Sequence, residues 1–229
     1  MTSTIANVSV HSATKDDLDA LVKIQFAALG QFGPEPLVSG NDTPENRSIM
    51  TKRHAQHMDA NPELVIAKAQ LVDGKIAGFC MFYFPGQGDA GPEQERTPIP
   101  LRPLSVDPAW TQISVEAPWI EEAERRRKAE SFLRFIHQEV QKHVGGRKCA
   151  YVRYMCVDPS FQRQGIGTAL MMWACMKLDK LKLDAYLEAS PAGEGLYRQF
   201  GFEIIGHSKG DFEDGLAVEY SHMWRMANS

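Results

Sequence analysis

The chain has 229 residues, a length that favours one elaborated domain over two of average size. Its composition is 43% hydrophobic and 24% charged, which provides enough apolar side chains for a core and excludes disorder over most of the chain. The formal net charge of −4 excludes a general attraction to nucleic acid or to anionic membranes.

The four cysteines form no C-x-x-C pair and stand mostly in apolar runs, which is typical of buried free thiols. No stretch reaches the roughly 18 apolar residues of a membrane-spanning helix. The first residues lack the basic and apolar regions of a secretion signal. We therefore expect a cytoplasmic protein that does not associate with membranes.

Hydrophobic periodicity and turn residues predict the elements of the first half. In chain order they are a strand at 8–12, a helix from the cap Thr14 to Gly30, a Gly/Pro-rich loop at 33–40, a helix from the cap Thr43 to residue 60, and strands at 64–71 and 75–84. The last two strands flank Asp73-Gly74, a dipeptide that favours a tight hairpin turn.

The second half alternates strands and helices after a segment rich in proline and glycine. In chain order it contains a loop at 85–118, a helix at 121–144, a strand at 149–157, a helix at 165–181, a strand at 185–188, a short helix at 194–200, and strands at 202–205 and 222–226. This order predicts a mixed α/β fold, with one domain over residues 1–229 and an insert at about 85–147.

One segment stands out: a strand ending at Val157 is followed by a turn and by Gly165-x-Gly167 at the start of a helix. Glycines there let backbone N–H groups face outward at the positive end of the helix dipole, an arrangement that binds phosphate oxygens. A P-loop is excluded because Thr168, and not lysine, follows Gly167. A dinucleotide-binding turn, disfavoured by Leu170 in place of its third glycine, and a turn without a ligand stay open.

The stretch Gln162-x-x-Gly165-x-Gly167 resembles the Q/R-x-x-G-x-G/A signature of the GCN5-related N-acetyltransferases, which binds the pyrophosphate of coenzyme A. A second stretch, Gly195-Leu-Tyr-Arg-Gln-Phe-Gly-Phe202, is similar to the short helix of that family that ends in L-Y-x-x-x-G-F. The close resemblance covers residues 149–206 and implies a coenzyme-binding core at about 148–206. It also implies the family's fold, a twisted mixed sheet with helices on both faces that is splayed between its central strands at 149–157 and 185–188.

The resemblance further implies roles for individual residues, with acetyl-CoA as the co-substrate. The backbones of Met155 and Val157 would hold the pantetheine arm, and the Met155 amide would also polarise the thioester carbonyl. The phenol of Tyr197 would protonate the departing thiolate as a general acid. The backbone amides expected to bind the pyrophosphate are those of Arg163, Gln164, Gly165, Ile166, Gly167 and Thr168.

The sequence departs from the family pattern in two places. Ser190 stands where many relatives have an asparagine, and its hydroxyl keeps the capacity to donate a hydrogen bond to the coenzyme. The strand at 149–157 contains no Glu, Asp or His, so the general base that some relatives carry there is missing. Glu188 and Glu116 are the candidate bases, with a water relay or another loop residue as alternatives.

These features predict an N-acetyltransferase that transfers the acetyl group of acetyl-CoA directly to a primary amine in a ternary complex. The insert lies where it can cover the acceptor side, and its aromatic residues favour a small or amphipathic amine. Those residues are Trp110, Trp119, Phe132 and Phe135. A peptide or protein acceptor, modified at its N-terminus or at a lysine, and a non-catalytic acyl-CoA-binding module are the alternatives.

We expect no metal ion, no nucleic-acid partner, and either a monomer or a homodimer. His54 and His57 have helical spacing, but no further cluster of metal ligands accompanies them. The two histidines are therefore predicted to lie on a solvated helix face.

Overall fold

The computed structural model describes residues 8–30, 34–85, 123–212 and 216–228. The strands are β1 (Val8–Ser12), β2 (Leu64–Leu71), β3 (Ile76–Tyr83), β4 (Ala150–Val157), β5 (Ala185–Ala189), β6 (Glu203–Phe212) and β7 (Leu216–Arg225). The α-helices are α1 (Leu18–Leu29), α2 (Glu35–Ser39), α3 (Pro44–Ala60), α4 (Ala123–Val144), α5 (Ile166–Leu181) and α6 (Glu194–Arg198). Residues 86–118 of the predicted loop at 85–118, with Trp110 and Glu116, lie outside the described residues, and so does Trp119.

Local signals in the sequence account for several element ends. The Thr43 hydroxyl accepts a hydrogen bond from the Asn46 amide and caps α3, with Pro44 at its first position. Gly74 closes the hairpin between β2 and β3 with φ at +87°, a conformation that favours glycine. None of the described helices is long and apolar enough to cross a bilayer.

The seven strands form one sheet in the order β1-β2-β3-β4-β5-β7-β6. Every neighbouring pair is antiparallel except β4 and β5, which run parallel. That parallel pair is joined only at Ala150–Ala185 and Tyr151–Tyr186, although β4 continues to Val157. Beyond Tyr151 the two strands part, which confirms the predicted splay.

Helices cover both faces of the sheet. The α5 face carries α5 and α6, and its core includes Ile166, Leu170 and Ala185. The opposite side, called the α1 face, carries α1 and α3 over β2, β3 and the far end of β4. The helix α4 also packs on the α1 face, where Val140 lies in one cluster with Tyr186 and Trp224. The parted strands therefore lie between two layers of helices.

Two regions differ from the sequence-based prediction. Residues 34–40, predicted as loop, contain α2, where the Ser39 hydroxyl donates to Glu35 Oε1 (2.7 Å) before Gly40 ends the helix. The strands β6 and β7 are much longer than the predicted 202–205 and 222–226. Pairing along the whole hairpin satisfies their backbone groups, and this cross-strand pairing outweighs the weak apolar alternation of the sequence.

Candidate functional site

A bulge in β4 determines which backbone groups face the gap between β4 and β5. In the pairing with β3, Met81 stands opposite Tyr154 and Phe82 opposite Val152, so Arg153 is an extra residue. Beyond the bulge, the Asp158 amide donates to Ala77 of β3 (2.9 Å). Because N–H directions alternate along a strand, the amides of Met155 and Val157 point away from β3.

Those two amides therefore face the side where β5 has moved away. The β4 edge next to the gap carries backbone donors and acceptors that the β4–β5 ladder does not use. An extended ligand with its own amide groups can pair with such an edge as an added strand would. Met155 and Val157 are the residues for which the family resemblance implied this contact.

The turn between β4 and α5 presents backbone amides below the same gap. Arg163 has φ at +61° and Gly165 has φ at +87°, and the first helical bond runs from the Ala169 amide to the Gly165 carbonyl (2.9 Å). The preceding amides at the start of α5 have no acceptor within the helix. They are those of Gly165, Ile166, Gly167 and Thr168. The helix start thus has the donors and the positive dipole end that an anion needs.

Two glycines let this helix start lie against its neighbours. A Cβ at Gly78 of β3 would lie 3.0 Å from Ile166 Cγ2 and 2.8 Å from the Cys156 carbonyl oxygen. A Cβ at Gly167 would lie 3.2 Å from Leu196 Cδ2 of α6. The end of β4, the start of α5 and α6 therefore converge at one place.

Tyr197 lies on α6 at this point of convergence. Its side chain is 8% exposed and belongs to the same apolar cluster as Met155 and Val157. The ring packs edge-on against Phe202, with centroids 6.0 Å apart. Burial raises the pKa of the phenol, which keeps it protonated at neutral pH.

Ser190 is exposed at the end of β5. Its carbonyl accepts hydrogen bonds from the amides of Gly193 (2.9 Å) and Glu194 (3.1 Å), which turns the chain into α6. The role of the Ser190 hydroxyl toward a coenzyme stays a prediction.

On the α1 face, Glu188 stands two residues beyond Tyr186, the last residue of β5 that pairs with β4. The Tyr151 hydroxyl donates to its Oε2 (2.9 Å), and the Tyr186 hydroxyl donates to its Oε1 (3.1 Å). Burial raises the pKa of Glu188 to about 7, against the opposing effect of the two hydrogen bonds. A carboxyl group beside the gap that gains and loses a proton near neutral pH suits a general base.

A histidine cluster lies behind Glu188, between β7 and α4. His222 Nδ1 lies 2.6 Å from the Tyr186 hydroxyl, and His222 Nε2 lies 2.8 Å from Ser208 Oγ. The ring of His143 stacks on that of His222, with centroids 4.0 Å apart. Sequence reasoning missed this cluster, because its members come from elements far apart in the chain and no motif connects them.

The donor atoms of Glu139, His143 and His222 lie within 4.8 Å of one another, a spacing compatible with a metal site. The two imidazole rings, however, are nearly parallel and stacked, so their in-plane lone pairs do not converge on one point. His222 Nε2 is also within hydrogen-bonding distance of Ser208. We therefore assign these side chains to a stacked polar cluster rather than to a metal centre.

The prediction for the two histidines of α3 was partly wrong. His54 is buried, not solvated, and its Nε2 lies 2.8 Å from Gln25 Oε1, which satisfies it inside the core. Burial lowers the pKa of His54 to about 3.

Beside His54 on the α1 face is a cavity of about 20 Å³, with room for about one water. The cavity is lined by Val38, Met50, Arg53, His54, His57, Arg153 and Tyr154.

A mixed sheet parted between two parallel strands, with a glycine-rich helix start below the gap, is the architecture of the GNAT fold. The family model described as an acetyltransferase (GNAT) domain matches residues 121–204, which contain both sequence motifs. Over these residues the chain is similar to the GCN5-related N-acetyltransferases.

A curated acetyltransferase from Stachybotrys chartarum is 40% identical over 50 residues, which is 22% of this chain and 22% of that relative. The matched part thus spans less than a quarter of the relative's length.

Solved structures match over nearly the whole chain. A protein related to the histone acetyltransferase HPA2, from Corynebacterium glutamicum, has a TM-score of 0.63 at 17% identity, covering 97% of this chain and 98% of that one. The mosquito arylalkylamine N-acetyltransferase like 5b has a TM-score of 0.58 at 15% identity, covering 96% and 99%. The phosphinothricin acetyltransferase of Sinorhizobium meliloti, in complex with AcCoA, has a TM-score of 0.55 at 15% identity, covering 97% and 89%. At these identities the likeness shows the fold.

Proposed function

We propose that the chain is an acetyl-CoA-dependent N-acetyltransferase that acetylates a primary amine of a small molecule by direct transfer in a ternary complex. The observation that carries this proposal is the parting of β4 and β5, with the amides of Met155 and Val157 directed into the gap above the start of α5. Acetyl-CoA supplies the acetyl group as a thioester.

The residues around the gap fit the coenzyme. Met155 and Val157 pair with the amide-containing pantetheine arm, and Ser190 adds a hydroxyl at the end of β5. The pyrophosphate is held by backbone amides, whose orientation the positive φ values of Arg163 and Gly165 support. The pyrophosphate-binding amides are those of Arg163, Gln164, Gly165, Ile166, Gly167 and Thr168.

The two proton-transfer groups lie on opposite faces of the sheet. Glu188, on the α1 face, takes a proton from the ammonium group of the substrate, which frees the lone pair of the neutral amine for attack. Tyr197, on the α5 face, donates a proton to the leaving thiolate. The Met155 amide donates to the carbonyl oxygen as negative charge develops there. Separate faces suit a direct transfer, because the nucleophile enters from one side while the leaving group departs on the other.

The position of α4 supports a small acceptor. This helix of the insert lies on the α1 face, where Val140 and Ile136 pack with Tyr151 and Tyr186 next to Glu188. A helix over that face narrows the space that an extended peptide would need. The small amine is therefore favoured over a peptide or protein acceptor, and an acetylating enzyme over a non-catalytic acyl-CoA-binding module.

All four cysteines are buried free thiols, which supports a reducing compartment such as the cytoplasm. We further propose a monomer or homodimer that uses no metal ion and binds no nucleic acid.

Replacing Gly165 with valine tests the coenzyme site, because a β-branched residue is strongly disfavoured at φ +87° and the turn must change its backbone. Acetyl-CoA at about 100 times its Kd should stabilise the wild-type protein by roughly 2.7 kcal/mol in thermal or chemical unfolding. The variant should lose most of this stabilisation. NAD and ATP should stabilise the wild-type protein far less.

Gly74→Val is the matched control, since Gly74 also has φ at +87° and lies in the β2–β3 turn with open space around it. Both variants carry a similar backbone strain, but only Gly165→Val should lose the effect of acetyl-CoA. An equal effect of acetyl-CoA on the two variants, or of NAD and acetyl-CoA on the wild type, contradicts the assignment. Gly167 is less suitable, because a larger side chain there would also press on α6 through Leu196.

A substitution of Phe132 tests the acceptor side. Phe132 is buried against Val38 and Val218 and packs edge-on against Phe212, so truncation to alanine would cost about 3–5 kcal/mol. Phe132→Leu keeps most of the packing. It should raise the KM of the amine about three- to tenfold and leave the KM of acetyl-CoA unchanged. Phe84→Leu, a buried substitution on the α5 face, is the control, and equal KM changes for both substrates in Phe132→Leu would count against the covering role of α4.

A further inference from the structure

Behind Glu188, three side chains form a continuous line of hydrogen-bonding atoms from the gap into the protein. The line runs from Glu188 Oε1 to the Tyr186 hydroxyl (3.1 Å) and from that hydroxyl to His222 Nδ1 (2.6 Å). Tyr186 and His222 are fully buried; in the β5–β7 pairing His222 stands directly opposite Glu188, and Tyr186, opposite Trp224, is its diagonal neighbour. Neither residue lies in the motifs of the coenzyme site.

The Tyr186 hydroxyl has one proton and two partners, so the charge of Glu188 decides where that proton points. When Glu188 is ionised, the hydroxyl donates to the carboxylate, and His222 must carry its proton on Nδ1 to donate to the phenol oxygen. When Glu188 is protonated, the carboxyl donates to the phenol oxygen, the hydroxyl donates to His222 Nδ1, and the imidazole proton sits on Nε2.

From this geometry we propose that Tyr186 and His222 are positioning residues for the base Glu188, and that the tautomer of His222 reverses with the charge of Glu188. The proposal rests on the proposed function, in which Glu188 takes the proton of the amine. The chain of hydrogen bonds holds the carboxyl group at the gap in both of its protonation states. A carboxyl group that is held in place in both protonation states is positioned to take the proton of the amine and keeps that position after it has taken it.

The surroundings of His222 allow this reversal without a change in its charge. On the far side of the ring, Ser208 Oγ lies 2.8 Å from Nε2, and a hydroxyl group both donates and accepts. Burial, followed by the neighbouring His143, lowers the pKa of His222 to about 4, so the ring stays neutral. The imidazole gives up a proton on one nitrogen and takes one on the other.

Other charged and titratable groups face Glu188 and His222, the two ends of this chain of hydrogen bonds. Around Glu188 they are Tyr151 and Arg153 of β4 and Tyr220 of β7. Around His222 they are Glu139, Lys142 and His143 of α4 and His207 of β6. Only Tyr186 bonds to both Glu188 and His222 among the residues that the structure describes.

Tyr151 provides a matched control for Tyr186, because its hydroxyl also donates to Glu188 but has no contact with His222 in the described bonding. The measurement is the acid limb of the pH profile of kcat/KM for the best amine. Introduced into the wild-type protein, His222→Phe should shift the apparent pKa of that limb by at least about 0.4 pH unit. Introduced into the Tyr151→Phe variant, it should cause the same shift, and introduced into the Tyr186→Phe variant, it should cause none. No shift in the wild type, or equal shifts in all three backgrounds, overturns the proposal.

A second measurement uses the wild-type protein and needs no turnover. Nitrogen-15 NMR of the His222 ring should report the proton on Nε2 below the Glu188 pKa of about 7 and on Nδ1 above it. Glu188→Gln should remove this change. A tautomer that stays constant across that range in the wild type overturns the proposal. If the wild-type protein acetylates no amine, the proposed function fails, while the tautomer measurement still decides whether the chain of hydrogen bonds responds to Glu188.

Discussion

Tyr197→Phe is expected to lower kcat for acetyl transfer by about 10²–10⁴-fold, the usual weight of a positioned proton donor or acceptor. The substitution removes the hydroxyl while the ring keeps its contact with Phe202 and its place in the core. The Kd for acetyl-CoA and the Tm should therefore change little. Steady-state kinetics with the best amine, together with titration of acetyl-CoA, measure these quantities.

Phe202→Leu is the control, because it changes the packing around the Tyr197 ring and keeps the hydroxyl. It should lower kcat far less than Tyr197→Phe does. Wild-type turnover in Tyr197→Phe would mean that solvent protonates the thiolate and that Tyr197 is a core residue. The same conclusion would follow from a coenzyme complex in which the phenol lies beyond hydrogen-bonding reach of the sulfur, directly or through one water.

Glu188→Gln is expected to lower kcat/KM for the amine by about 10²–10⁴-fold, because glutamine keeps the shape of the side chain but cannot take a proton. In the wild type, kcat/KM should fall as the pH drops below about 7, where Glu188 becomes protonated. This acid limb should be absent from the remaining activity of the variant.

Glu188→Gln is also expected to change the stability of the folded protein, in a direction that follows from the raised pKa of Glu188. The pKa of Glu188 is raised from its ordinary value of 4.5 to about 7 in the folded protein, so folding favours the protonated form. Its contribution to stability is full below pH 4.5 and is lost as the pH rises through 7. Glu188→Gln should therefore unfold at a Tm equal to or above that of the wild type at pH 8, where the wild type carries a buried charge.

Glu203→Gln serves as the control for Glu188→Gln, since Glu203 is exposed at the start of β6. It should change neither the activity nor the pH profile. Full activity of Glu188→Gln at every pH would remove Glu188 from the mechanism and leave Glu116 or a water relay as the remaining candidates.

The sequence predicted the part of the site that depends on local backbone chemistry. The turn around Gly165 and the short helix that carries Tyr197 follow from glycines and aromatic residues at fixed spacings, and the structure places them as expected. The splay was implied by the resemblance and is seen in the short β4–β5 pairing. The assigned roles of these residues stay predictions until they are tested.

Other parts of the site depend on tertiary contacts that leave no local pattern. The bulge at Arg153, which directs Met155 and Val157 into the gap, arises from the register with β3. The raised pKa of Glu188 and its bonds to Tyr151 and Tyr186 arise from burial between β4, β5 and α4. One local signal for the bond between Tyr186 and Glu188 was present in the sequence. The two residues are two positions apart on a strand, and because successive side chains alternate between faces, these two lie on the same face of the sheet.

The most direct test of the proposed activity is a panel of primary amines, small molecules and peptides, incubated with acetyl-CoA and the wild-type protein. Free thiol and acetylated amine are measured together. The account predicts that thiol release depends on the amine, that one acetylated amine forms per thiol, and that a small amine gives the highest kcat/KM. Acetyl-CoA binding without amine-dependent thiol release from any member of the panel would contradict it and identify a non-catalytic acyl-CoA-binding module.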